Sequence, residues 1–173
     1  MSNNTNWTID ATHSEIAFKV KHMMISTVTG HFEDFTATAK TEGDSFENAS
    51  LEFSAKTASI NTKNADRDAH LKSDDFFNSE KFPEMKFVSK SFKGDKLIGD
   101  LTIRDITKEI TLDAELNGIA VDPYGQTKAG LEIKGEISRK DFNLTWNAVT
   151  EAGSIVVSDK VRLVVDVQFI KQA

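Results

Sequence analysis

The sequence predicts an all-β protein, an antiparallel barrel of about eight strands with a short helix near one end. Three observations predict it. Apolar and polar residues alternate with a period of two through most of the 173 residues, which gives each strand one dry and one wet face. Turn signals separate many of the runs: Glu42-Gly43-Asp44, Lys93-Gly94-Asp95, Asn117-Gly118 and Asp122-Pro123-Tyr124-Gly125. One segment, between Asn61 and Pro83, lacks the alternation.

The first run is Ser14 to His22. Ile16, Phe18, Val20 and His22 share one face, and Glu15, Ala17, Lys19 and Lys21 share the other. Val28, Gly30 and Phe32 follow in the same phase, then Phe35, Ala37 and Ala39, then Leu51 and Phe53. After the non-alternating segment come Met85 and Phe87, then Leu97, Gly99, Leu101 and Ile103, then Ile110, Leu112, Ala114 and Leu116. Ala129, Leu131, Ile133, Gly135 and Ile137 form the next run, and Val161, Leu163, Val165, Val167 and Phe169 the last. One-faced antiparallel strands make either a sandwich or a closed barrel; closure removes the sheet edges. Seven inward positions are small: Gly30, Ala37, Ala39, Gly99, Ala114, Ala129 and Gly135. Small inward residues leave room for a lumen, or else they mark bends and tight strand contacts.

In the remaining segment Asn64 is suited to cap a helix over about Ala65 to Lys72, with Asp66 and Asp68 at its positive end. Pro83 forces Phe82 into an extended conformation. Phe76, Phe77 and Phe82 are too many aromatics for a free loop and are expected to roof one end of the barrel. No repeat or linker divides the chain, which is expected to be one domain over residues 1–173.

The net charge of -6 and the lack of a basic stripe argue against nucleic acid as a partner. Without cysteine there are no disulfides and no thiolate metal sites. The opening MSNNTNWTID has neither the basic nor the apolar region of a secretory signal, and no stretch of about 18 apolar residues is present. The chain is therefore expected to be cytoplasmic, with no stable membrane insertion. Whether it is a monomer or a homodimer stays open.

The ordered set of residues resembles a known family. It opens with Asp10, His13-Ser14, Ile16, Phe18, Val20 and His22, and continues with Val28, Gly30, Phe32 and Phe35. Thr62, Arg67-Asp68-Ala69-His70-Leu71, Ser73, Asp75-Phe76-Phe77, Phe82-Pro83 and Phe87 come next. Gly99 to Ile103, Thr107-Lys108, Ile110, Leu112, Gly125, Gly130 and Arg139-x-Asp141-Phe142-x-Leu144-x-Trp146 complete it. Together these resemble the YceI-like family of lipocalin-like polyisoprenoid-binding proteins, over Trp7 to Phe169. No single motif carries the match. Three positions depart from the family pattern: Asp105 and Asn143 stand in place of Gly, and Glu109 in place of Pro. Asn is the next most tolerant residue for positive φ, so the turn at 143 can be kept.

The resemblance implies an extended eight-stranded antiparallel lipocalin-like barrel with a helix near its mouth. It also implies a polyisoprenoid or fatty-acid-derived amphiphile in the lumen, and no cofactor besides that lipid. Alternation alone leaves the inward residues free to pack on one another; the resemblance implies that they line an open tube. The expected lining is Ile16, Phe18, Val20, His22, Val28, Phe32, Phe35, Phe53, Met85, Phe87, Leu101, Ile103, Leu112, Leu131, Ile133, Leu163 and Val165, with Phe76 and Phe77 as the roof. Phe142 and Trp146 either close one end or lie against the tail. Each buried CH₂ contributes roughly 0.8 kcal/mol, so a chain of about 20 would gain on the order of 16 kcal/mol before ordering costs. Polar contacts would then set orientation and head-group choice.

His13, His22, His31 and His70 fit no compact metal-binding spacing, and no metal is expected. Arg67, Asp68 and His70 carry groups capable of chemistry, but no serine sits in a nucleophile elbow. The preferred reading has Asp68 and Arg67 fixing the helix to the barrel rim, with Arg67 or His70 free to meet a head group. A lipid-binding carrier, store or buffer that is not an enzyme is therefore expected. The alternatives are a lipid-modifying enzyme using Arg67, Asp68 and His70, and a ligand-free structural or interaction barrel.

Overall fold

The structure, a computed structural model, describes residues 4–146 and 157–172. Its elements are β1 (Asn4–Ile9), β2 (Glu15–His22), β3 (Ser26–Phe32), β4 (Phe35–Glu42), β5 (Ser45–Lys56), β6 (Ile60–Asn61), α1 (Ala65–Lys72), β7 (Glu84–Lys93), β8 (Lys96–Ile103), β9 (Ile106–Val121), β10 (Thr127–Ser138) and β11 (Val157–Lys171). Antiparallel pairing runs β1-β4-β5-β7-β8-β9-β10-β11 and returns from β11 to β1, which closes an eight-stranded barrel.

Two of the barrel staves bend. β11 pairs with β1 through Phe169–Lys171 and with β2 through Val161–Asp166, so β1 and β2 lie along one stave. β3 and β4 make the neighbouring stave in the same way. β1 is absent from the sequence expectation because only Trp7 and Ile9 in NTNWTI are apolar. β9 extends well past the expected run at both ends, and Asn117-Gly118 is no turn. Gly118 pairs with Gly130 and Leu116 with Leu131, which makes Asn117 the extra residue of a bulge. Asn143 does adopt the left-handed conformation, at φ 61°.

The two ends of the barrel differ. At the sealed end Trp7, Leu51, Leu97, Ala129, Leu131 and Phe169 are all at most 1% exposed. There the Trp7 Nε1–H donates to Thr41 Oγ1 at 2.8 Å, and the Trp7 ring lies 5.2 Å from Phe46. Lys128 Nζ, on β10, donates to Asp10 Oδ2 at 2.7 Å and lies 3.5 Å from Asp122 Oδ2. That bond, helped by Thr12 and His13, holds the Asp10 carboxyl well below the usual carboxylate range against the opposing effect of burial.

The opposite end carries α1 and the 3₁₀ turn Arg139–Phe142. Asn64 Oδ1 accepts from Arg67 N at 3.0 Å, the expected cap. Among the described residues no helix is long and apolar enough to cross a membrane.

Candidate functional site

The inward residues of the α1 end do not meet at the barrel axis. They enclose a cavity of about 350 Å³, open at that end. β2 and β3 contribute Ile16, Phe18, Val20, His22, Val28 and Phe32; β5 and β7 contribute Phe53, Met85 and Phe87. Leu101, Ile103, Leu112 and Ile133 on β8 to β10, and Leu163 and Val165 on β11 beside β2, complete the wall. Arg67, His70, Phe76, Phe77 and Trp146 border the mouth.

Three expected lining residues lie elsewhere. Leu131 is 1% exposed in the solid half, opposite Val167. Phe142 is 1% exposed and belongs to the core beneath its 3₁₀ turn. Phe35 packs against the core at the bend between β3 and β4, opposite Ala55. Each has the right strand parity or aromatic character, but parity does not distinguish a packed inward position from a hollow one. Conversely Ala55, Thr62, Leu71, Ile110, Ile137, Arg139, Leu144, Val157 and Val161 line the cavity without having been singled out. Ile110, Ile137 and Val161 carried the inward-parity signal; Leu71 and Leu144 sit in segments too short for periodicity to speak.

The small inward residues take the second of the two expected roles, that of close contacts between strands. None of the seven borders the cavity. A Cβ on Gly30 would meet the Phe18 ring at 2.2 Å, one on Gly135 the Leu112 side chain at 2.2 Å, and one on Gly99 the Phe87 ring at 2.6 Å. Phe18, Phe87 and Leu112 all line the cavity. Each lies across a glycine on the adjacent strand, flat against the wall, and so leaves the axis open. The four alanines pack in the core.

The mouth is built by α1, the loop after it and the segment after β10. Arg67 Nε donates to Thr62 Oγ1 at 2.8 Å and its Nη2 to Thr62 O at 2.7 Å, while Asp68 Oδ1 accepts from Thr62 N at 2.9 Å and Oγ1 at 2.6 Å. The pair therefore ties α1 to the rim, and Asp68 does not border the cavity. His70 Nε2 lies 2.9 Å from Asp75 Oδ2, and its ring stands edge-on to Trp146 at 4.5 Å and Phe76 at 5.2 Å. The other histidines are dispersed: His13 bonds Asp10, His31 pairs with Glu15 on the outer face, and His22 faces the cavity.

Arg139 is 3% exposed. Its Nε donates to Ser158 O at 2.9 Å, Nη1 to Leu144 O at 2.6 Å and Trp146 O at 2.7 Å, and Nη2 to Val157 O at 3.2 Å. One side chain thus fixes both Trp146 and the start of β11 at the mouth. Burial lowers its pKa, which the nearby Asp159 charge opposes. Among the described residues Lys21, Arg67, Lys86 and Arg139 border the cavity and no carboxylate does.

The chain matches the YceI-like domain model over residues 7–169. A UPF0312 protein of Staphylococcus aureus (strain MSSA476) is 37% identical over 166 residues, covering 95% of this chain and 97% of the relative. The solved structure of a Campylobacter jejuni YCEI protein is 36% identical, with a TM-score of 0.76 over 88% of this chain and 90% of that one. A polyisoprenoid binding domain from Saccharophagus degradans, implicated in plant cell wall breakdown, shares the fold at 13% identity, with a TM-score of 0.72 over 99% of this chain and 100% of that one. With the domain model spanning nearly the whole barrel and curated relatives matching end to end, the chain belongs to the YceI-like family.

Proposed function

We propose that the chain binds one elongated apolar amphiphile, polyisoprenoid or fatty-acid-derived, as a carrier or store. The tail lies in the cavity and the head group at the mouth. The observation that carries this reading is the hollow half of the barrel: a one-ended space whose walls are aliphatic and aromatic, with polar groups gathered at the opening. Such a space stays poorly hydrated and favours a chain that fills it. Among the described residues Arg67 and Arg139 border the mouth and no Asp or Glu lines the cavity, which favours an anionic or neutral polar head over a cationic one. Little discrimination among tails is expected, because apolar contact is roughly proportional to area and not directional.

Chemistry at Arg67, Asp68 and His70 has no observation in its favour. Asp68 and Arg67 are spent on Thr62, and His70 is held between Asp75 and Trp146. A solid structural barrel does not explain the cavity.

The test is native mass spectrometry of the purified chain, followed by solvent extraction. An adduct of lipid mass, released by the solvent and recovered as an amphiphile, is expected. Bare protein that also fails to take up a dispersed long-chain fatty acid would overturn the proposal.

A further inference from the structure

The turn between β2 and β3 is built from residues ill-suited to it. Ile25 N donates to His22 O at 3.2 Å, and the two central residues, Met23 and Met24, sit at φ 52° and 59°. His22 pairs with Ser26 across this three-residue loop, and its first two residues are left-handed, a conformation that Asn and Gly adopt readily and in which methionine is strained. The strain holds apolar side chains in water: Met23 is 38% exposed, Met24 69% and Ile25 81%. Strain retained at a surface points to use. The turn stands at the cavity mouth, because His22 and Lys21, immediately before it, border the opening and His22 lies opposite Val157.

Charge surrounds this tip on one side. Lys19 and Lys21 share the outward face of β2. Arg162 lies opposite Lys19 on β11, with Lys160 two residues nearer the mouth. None of these four cations is in an ion pair among the described residues. The outward residues of β3 beside them are Thr27 and Thr29. Glu136 lies opposite Arg162 on β10, a strand further from the hairpin. A cationic face thus leads to an apolar tip in a chain of net charge -6.

From this juxtaposition we infer that the Met23-Met24-Ile25 hairpin docks the barrel on an anionic lipid bilayer, with its side chains among the acyl chains and the cavity mouth against the surface. The inference rests on the lipid-binding reading and adds the source from which the ligand enters. Exposed apolar side chains flanked by lysine and arginine give the two-part attraction that peripheral membrane binding needs. Methionine's flexible thioether suits a fluid, irregular partner.

The experiment is co-sedimentation of the full chain with vesicles of phosphatidylcholine alone and of phosphatidylcholine with phosphatidylglycerol in equal parts. The wild type is expected to pellet with the mixed vesicles and weakly with the neutral ones. The triple variant Met23→Asn, Met24→Gly, Ile25→Thr suits the turn better, so its thermal midpoint should hold or rise while its vesicle binding falls at least about tenfold. The double variant Lys19→Gln, Lys21→Gln should lose roughly thirty-fold on mixed vesicles and little on neutral ones. A wild type that stays in the supernatant overturns the inference, as does a triple variant that pellets like the wild type. So does sedimentation velocity showing that the tip instead joins two copies of the chain. Uptake of a fatty acid dispersed in solution is measured separately, and the triple variant should retain it. A wild type that pellets but takes up no fatty acid would uphold the docking and overturn the lipid-binding reading.

Discussion

At the scale of single residues, the lumen depends on where side chains can lie as much as on their size. Phe18 is large and faces inward, yet it lies across Gly30 on the partner strand and leaves the axis free. A methyl group at residue 30 would occupy the volume of the ring end, and the ring has the cavity to move into. Gly30→Ala is therefore expected to keep the fold and lower the capacity for long tails, measured as a shift toward shorter acyl chains among lipids captured from a mixture. Unchanged chain-length preference would mean that Phe18 does not bound the ligand space. Pattern alone showed that residues 18 and 30 face inward. It could not show that one covers the other, because that depends on cross-strand register and rotamer.

At the scale of elements, alternation made most strands and their inward faces legible, and the cap at Asn64 located α1. Two failures have physical causes. β1 has a weak pattern because its role is to seat Trp7 and to join Asp10 to Lys128. Asn117-Gly118 has the composition of a turn but forms a bulge, which keeps Leu116 and Ile119 on one face of the sheet, opposite Leu131 and Ala129. The Asp10–Lys128 contact pins the end of β1 to β10, so Asp10→Asn should cost about 1–2 kcal/mol at neutral pH. The folded-state pKa of Asp10 lies below its unfolded value near 4. Its contribution is therefore complete above that value and is lost as pH falls toward the lower folded one. Denaturant titrations should show a constant gap between wild type and Asp10→Asn from pH 8 to pH 5, closing below about pH 4. A gap that persists at lower pH would show that Asp10 acts by packing instead of charge.

At the scale of the whole molecule, the interior is divided into a solid end and a hollow end. Inward parity was legible along β10, but it is the same for Leu131, packed at 1% exposure, and for Ile133, which faces the cavity one inward position away. What differs is whether a side chain stands across the barrel, which is a property of closure. The solid end supplies close packing, and the hollow end leaves apolar surface unmatched for a guest. A small-to-large substitution separates the two directly. In a filled core it costs about 1–3 kcal/mol. In the cavity it should cost less and displace the guest. The decisive measurement is titration of a fluorescent long-chain fatty acid into the wild type and Val165→Trp, with stability measured alongside. The account predicts that Val165→Trp folds with a loss under about 1 kcal/mol and binds the probe at least about tenfold more weakly. Equal binding by both proteins would contradict the claim that the ligand lies inside the barrel.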